Sequence, residues 1–383
     1  MRRRDALAAG GTIVGTLSVL PTVLTGGCLD FETLRREDAW RELVVDPPAG
    51  IYVPPKIDAM LEYGSKTESG LDITLSAMRP HSFWTVAGTE RARADLRSHH
   101  TLHLMAAVRD AESGVAVPTA VTTRIEHADS GDGTDSSDAT DTANTAADTV
   151  DQRTLWPMLS QRMGVHYGDN VSLPGEGTYE ATVRVDPPTA YLADEFADRL
   201  DQPVTTTIEF EYDPTAIDAL ERTLLDDGEG RGERGALESM GHAPEPVSPT
   251  SSAVAHSATG DDIVVTLGRV DGSDGAQGDS AAAADTQLTI GVRTRYNRYP
   301  VPFAGLSVES VSDGDGQHTA EAYEAIDPDR GHHYRAEFEA GVLESADELA
   351  VTLDVPPQVA LHEGYETAFG AERVVLPASL PEL

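Results

Sequence analysis

Residues 178–185 read Thr-Tyr-Glu-Ala-Thr-Val-Arg-Val, with a large or apolar side chain at every second position. A period of two places one face of a strand in a core and the other in solvent. The pattern constrains the fold because it recurs. Residues 71–78, 101–110, 120–125 and 205–212 also alternate or are rich in β-branched side chains. Turn residues separate them, as in Pro174-Gly175-Glu176-Gly177. Short strands at this spacing predict an all-β fold built as a β-sandwich.

A second strand-rich region begins near Asp262 and repeats the first in order. LDITLSAM is echoed by DDIVVTLG, and Val108-Arg109 is echoed by Val292-Arg293. VHY at 165–167 is echoed by HHY at 332–334. ATVRVDPP is echoed by AVTLDVPP, so Pro187-Pro188 falls on Pro356-Pro357. An ordered series of this kind is the mark of internal duplication. The expected organisation is a domain at 49–215, a linker at 216–260 with a short helix near 217–225, and a second domain at 261–380. The acidic stretches 127–150 and 271–285 have almost no large apolar side chains, so they are expected to be disordered insertions.

The chain carries 28 Lys+Arg against 65 Asp+Glu, a formal net charge of −37. Lys56 and Lys66 are its only lysines. Such a surface repels nucleic-acid phosphates, so no nucleic-acid partner is expected. The composition resembles that of proteins from halophilic archaea, in which the acidic residues form a solvated surface screened by salt. At the N-terminus, Arg3-Arg4-Asp5-Ala6-Leu7 followed by an apolar stretch resembles a twin-arginine export signal. LTGGC, ending at Cys28, resembles a lipobox, with Leu24 one position further from the cysteine than usual. The expectation is a signal at 1–28, lipidation of Cys28 and a stalk at 29–48. The chain would then be exported and lipid-anchored at the outer face of the cytoplasmic membrane. An uncleaved signal anchor is the alternative. Cys28 is the only cysteine, so its lipidation leaves no thiol for a disulfide or a metal.

Oxygen ligands are everywhere in this chain, so a metal site has to be read from the rarer His and Met residues. In the first region these are His81, His99, His100, His103, Met105, Met158, Met163 and His166. His103 and Met105 lie two apart on an inferred strand and so share a face. Met158 and His166 flank a tight segment containing Gly164. Imidazole suits copper, iron and zinc, whereas a thioether favours copper, above all Cu(I). Taken singly, each Met reads equally as core and each His as a structural residue.

PMLSQRMGVHYGDNVSLPGEGTYEATVRVDPP, starting at Pro157-Met158, resembles the periplasmic iron-transport-associated proteins and lipoproteins that accompany a high-affinity iron permease. The resemblance implies immunoglobulin-like sandwiches, here in tandem. It also implies a cell-surface protein, not an enzyme, that binds iron or copper and assists iron uptake, often as a dimer. Carried over by position, it makes Met158, His166 and His103 ligands, with Met105 where the family has Glu and Met163 in reserve. The family's further histidine after Pro-Pro has no counterpart after Pro188. The second region supplies His362 after Pro357, and His332 and His333 as additional candidates. Two arrangements follow. The simpler is a three-ligand site within the first region, and the other is a composite site in an intrachain pseudo-dimer. The alternative function is a surface interaction module that keeps the fold without the metal.

Overall fold

The computed structural model describes residues 48–128, 149–193, 195–240, 256–270, 286–312 and 317–379. The export signal with Cys28, nearly all of the stalk and the bulk of both acidic insertions lie outside the described residues. Among the described residues no helix is long and apolar enough to cross a membrane.

The fold is all-β, as the alternation predicts. The first half contributes β1 (Lys56–Asp58), β2 (Leu61–Glu68), β3 (Leu71–Met78), β4 (Phe83–Ala87), β5 (Glu90–Ala94), β6 (Leu102–Asp110), β7 (Val121–His127), β8 (Thr149–Ser160), β9 (Gly164–Val171), β10 (Gly177–Val185), β11 (Tyr191–Leu192), β12 (Val204–Tyr212) and β13 (Arg222–Leu224). The second contributes β14 (His256–Thr259), β15 (Ile263–Val270), β16 (Thr286–Thr294), β17 (Gly305–Val311), β18 (His318–Asp327), β19 (Gly331–Phe338), β20 (Glu348–Val355), β21 (Ala360–Leu361) and β22 (Glu372–Pro377). Helices are short: α1 (Phe196–Arg199), α2 (Pro214–Ala219) and α3 (Val342–Ser345).

Hydrogen-bonded neighbours in the first half run β12-β10-β7-β8-β9-β6-β3-β2, and in the second β22-β20-β17-β18-β19-β16-β15-β14. The two halves therefore repeat one topology strand for strand. In each, one long strand passes between layers. β8 pairs with β7 up to Leu155 and with β9 from Trp156 onward. β18 pairs with β17 up to Ala322 and with β19 from Tyr323 onward. The first core fills from both layers, with Leu71, Ile73 and Leu75 of β3 facing Ala181 and Val183 of β10 and Ile208 of β12.

Each half also lends a short strand to the other. β21, just after Pro356-Pro357, pairs in parallel with β8, setting Ala360 opposite Met158 and Leu361 opposite Leu159. β11, just after Pro187-Pro188, pairs in parallel with β18, setting Tyr191 opposite Ala325 and Leu192 opposite Ile326. The cores follow the exchange. Leu159 and Val165 pack in the second core, and Ile326 packs in the first.

Residues 216–240 of the expected linker are tied down rather than free. The expected helix over 217–225 ends at Ala219, because Arg222–Leu224 pair with Lys56–Asp58 instead. Asp213 caps α2 by accepting from the Thr215 N–H at 2.7 Å. Further on, the Leu237 N–H donates to Gln161 and the Met240 N–H to the Arg162 carbonyl.

Candidate metal centre

β6 shows why a site forms at this point. Leu102, Leu104, Ala106 and Val108 point into the first core, which leaves His103 and Met105 on the opposite face. In a one-layered sheet that face would meet solvent, yet both residues are fully buried. The cover comes from the β4–β5 hairpin and from β21, which pairs with both β4 and β8. Phe83, Met158, Ala360 and Ala94 form a small apolar cluster within it.

Four imidazoles meet under this cover. The His81 ring lies 4.3 Å from His103 and 5.1 Å from His362, centroid to centroid, and His166 lies 5.4 Å from His362. His81 comes from the β3–β4 loop, His103 from β6, His166 from β9 and His362 from the segment after β21. The cluster therefore draws its imidazoles from both halves of the chain.

The hydrogen bonds around the rings fix which nitrogens face inward. His166 Nδ1 meets the Gly164 carbonyl at 2.9 Å and His81 Nδ1 meets the Arg79 carbonyl at 3.2 Å. A carbonyl only accepts, so both Nδ1 atoms carry the proton and both Nε2 atoms are unprotonated acceptors. Asn170 donates from Nδ2 to the His81 carbonyl at 2.8 Å, which orients its Oδ1 as an acceptor for His103 Nδ1 at 3.0 Å. One amide thus holds two of the histidine segments. His81 Nε2 and His103 Nε2 are buried and have no hydrogen-bond partner among the described residues. Polar atoms left bare in an interior are costly, so their role is to be sought in a ligand.

His362 Nε2 donates a hydrogen bond to the unprotonated His166 Nε2 at 3.3 Å. Two nitrogens on one tetrahedral ion, each bonded at about 2.0–2.1 Å, sit roughly 3.3 Å apart. Gly168 makes the remaining room. A Cβ there would fall 2.7 Å from His103 Nε2 and 2.8 Å from Met158 Sδ, so a nitrogen and a thioether sulfur close on one spot that only glycine leaves open. Among the described residues, no group of three or more His, Cys, Asp or Glu side chains is placed so that it could hold a metal ion, although the four imidazoles lie close together.

Electrostatics favour neutral rings. Burial pushes His81 and His166 down to about 4, with the Lys56 ammonium adding to the effect at His81. His103 and His362 lie well below the usual range, through burial first and then through neighbouring imidazoles. Neutral imidazole is the form that binds metal. A cleft of about 390 Å³ includes Phe83 and Asn170 in its lining, both of which also touch the imidazole cluster.

Of the expected ligands, His103, His166 and Met158 come together here with His362. Met105 is buried on the His103 face, opposite Gly168. Met163 is half-buried in the β8–β9 turn, its N–H on Ser160 Oγ. His332 and His333 belong to the second half's own cluster, beside Glu324 and Asp327. His99 and His100 meet edge to face, with ring centroids 4.6 Å apart. Sequence reasoning did not assign a role to His81 or Asn170. His81 sits in a loop with no periodicity to orient it, and the partners of Asn170 lie 67 and 89 residues away in the chain.

Residues 139–215 match a family model described as Fe2+ transport protein, and residues 248–375 match one described as a domain of unknown function (DUF7350). No curated protein matches the chain. Among solved structures, FetP from uropathogenic Escherichia coli strain F11 is similar at 18% identity over 40% of this chain and 96% of its own, with a TM-score of 0.29. A copper-bound variant of Campylobacter jejuni P19 is similar at 19% identity over 40% of this chain and 98% of its own, also with a TM-score of 0.29.

Proposed function

We propose that the chain is a metal carrier that holds one copper or iron ion between His103, His166, His362 and Met158, with His81 as a neighbouring donor. The observation that carries this reading is the 3.3 Å approach of His362 Nε2 to His166 Nε2, beside a bare His103 Nε2 and a thioether above Gly168. Three imidazoles and a thioether suit copper better than iron. The charge balance narrows the choice further. Placing a charge in a dry interior costs more as the charge rises, and these ligands are neutral. The Lys56 ammonium acts in the same direction. Cu(I), soft and singly charged, fits this donor set best.

A role in iron uptake is supported by the match of residues 139–215 to the Fe2+ transport family. On this reading the chain is exported and tethered at the membrane through Cys28. There it presents the ion to an iron permease, without turning over a substrate. The test is titration of the full chain in molar salt with Cu(I), Cu(II), Fe(II) and Mn(II). His103→Ala/His166→Ala and His362→Ala variants are run beside it. One tightly bound Cu(I) per chain, lost in both variants, is expected. Equal uptake by all three proteins would put the ions on the acidic surface and leave the fold as an interaction module.

A further inference from the structure

Each position of this centre has a structural equivalent in the second half, and of the four proposed ligands His166 alone has a histidine there, His333, with Gln287 at the place of His103. Met158 pairs with His166 across β8 and β9, and Ala325 pairs with His333 across β18 and β19. Met105 pairs with Gly168 across β6 and β9, and Thr289 pairs with Arg335 across β16 and β19. His362 follows Leu361 in the lent strand β21, and Ala193 follows Leu192 in β11. The local construction is retained too. His333 Nδ1 donates to the Gly331 carbonyl at 2.9 Å, as His166 Nδ1 does to Gly164. Tyr334 and Tyr167 each reach back to a valine carbonyl, at 2.8 and 2.6 Å.

The difference lies where Gly168 leaves room. Its counterpart Arg335 is buried, and its Nε donates at 3.1 Å to His333 Nε2, the atom that corresponds to the inward nitrogen of His166. Its Nη1 reaches Gln287 Oε1 at 3.5 Å, its Nη2 lies 4.0 Å from Asp327 Oδ2, and Tyr191 of the lent strand covers it at 5.0 Å. We infer that the second half holds a metal site whose cation is the Arg335 guanidinium, so the chain takes one ion in the first centre and none in the second. Clearing that side chain and restoring one of the two missing imidazoles, the one at Ala193, would turn the second centre into a site for a borderline divalent ion such as Zn2+. His333, Asp327 and the introduced histidine would be its ligands. The inference takes its template from the metal reading of the first centre, but its own atoms are all in the second.

The experiment counts Zn2+ and Cu(I) per chain by native mass spectrometry, in a His103→Ala/His166→Ala background that silences the first centre. The background chain is expected to bind no tight ion, and adding Arg335→Gly with Ala193→His is expected to gain one Zn2+. Adding His333→Ala is then expected to lose it. A background chain that already holds an ion removable by His333→Ala would overturn the inference, as would a folded Arg335→Gly/Ala193→His chain that gains none. If that chain is unfolded without metal, a rise in Tm with Zn2+ supports the proposal and no rise overturns it. The unaltered chain, run alongside, reports separately on the first centre, so failure there is distinguishable from failure here.

Discussion

At the residue scale the centre depends on an absence, the missing Cβ of Gly168. Gly168→Ala would put a methyl 2.7 Å from His103 Nε2 and 2.8 Å from Met158 Sδ. His103 and Met158 can swing away more readily than the Leu104 carbonyl, 3.2 Å from the same methyl, so the ligand geometry spreads while the sheet shifts by only a few tenths of an ångström. The expected outcome is a loss of at least ~100-fold in Cu(I) affinity, about 2.7 kcal/mol, with an unchanged circular dichroism spectrum. A competing Cu(I) chelator of known affinity measures it. Asn170 acts one step back, through His103 and the His81 backbone. Asn170→Ala is expected to weaken binding by roughly 10–100-fold, the usual cost of losing a group that orients a ligand. Affinity equal to that of the unaltered chain would remove Asn170 from the site.

At the element scale, the turn between β8 and β9 sets where His166 points. Gly164 has φ +69°, and a Cβ on it would fall 2.9 Å from the Tyr299 ring of the second half. Gly331 opens β19 in the same left-handed conformation, with φ +66°. Gly164→Ala combines left-handed backbone strain with a steric clash and is expected to cost about 2–3 kcal/mol of stability. The urea midpoint of the metal-free chain reads it, and a change under ~0.5 kcal/mol would show that the turn relaxes freely.

At the scale of the whole molecule, the exchange of β11 and β21 makes the halves interdependent. Residues of each half lie in the core of the other, so unfolding is expected to be a single cooperative event. Among the described residues both tryptophans, Trp84 and Trp156, lie in the first half. Their fluorescence should therefore report the same urea midpoint as far-UV circular dichroism, which sees both halves. Two separate midpoints would mean that the halves stand alone. Acid should act on the whole as well. His81, His166 and His333 are pushed from 6.5 down to about 4, in each case by burial first. Below pH 6.5 the unfolded chain takes up protons that the folded chain refuses until about pH 4. The stabilisation is thus present above 6.5 and lost as pH falls toward 4. Urea midpoints at constant molar salt should drop between pH 7 and pH 5, and a flat profile would contradict the burial of these rings.

The alternation of 71–78, 101–110 and 178–185 determined the strands, because a side-chain period of two is a local property. The ordered echoes, down to the two Pro-Pro pairs, carried the repeated topology. His103, Met158 and His166 were legible as candidate ligands through residue type and resemblance. The sequence also held the clue to His362, since the histidine missing after Pro188 appears after Pro357. Local pattern could not decide that β21 crosses to the other half. That choice depends on burying Leu361 in a shared core and covering the outer face of β6, both long-range effects. Nor could it show that His81 turns inward, because loops carry no periodicity, or that Asn170 of β9 joins two histidine segments, because both partners are distant in sequence. Gly168 and Arg335 were plain letters in two strands. Only the tertiary structure set them at equivalent positions, one leaving room for an ion and the other filling it with its own charge.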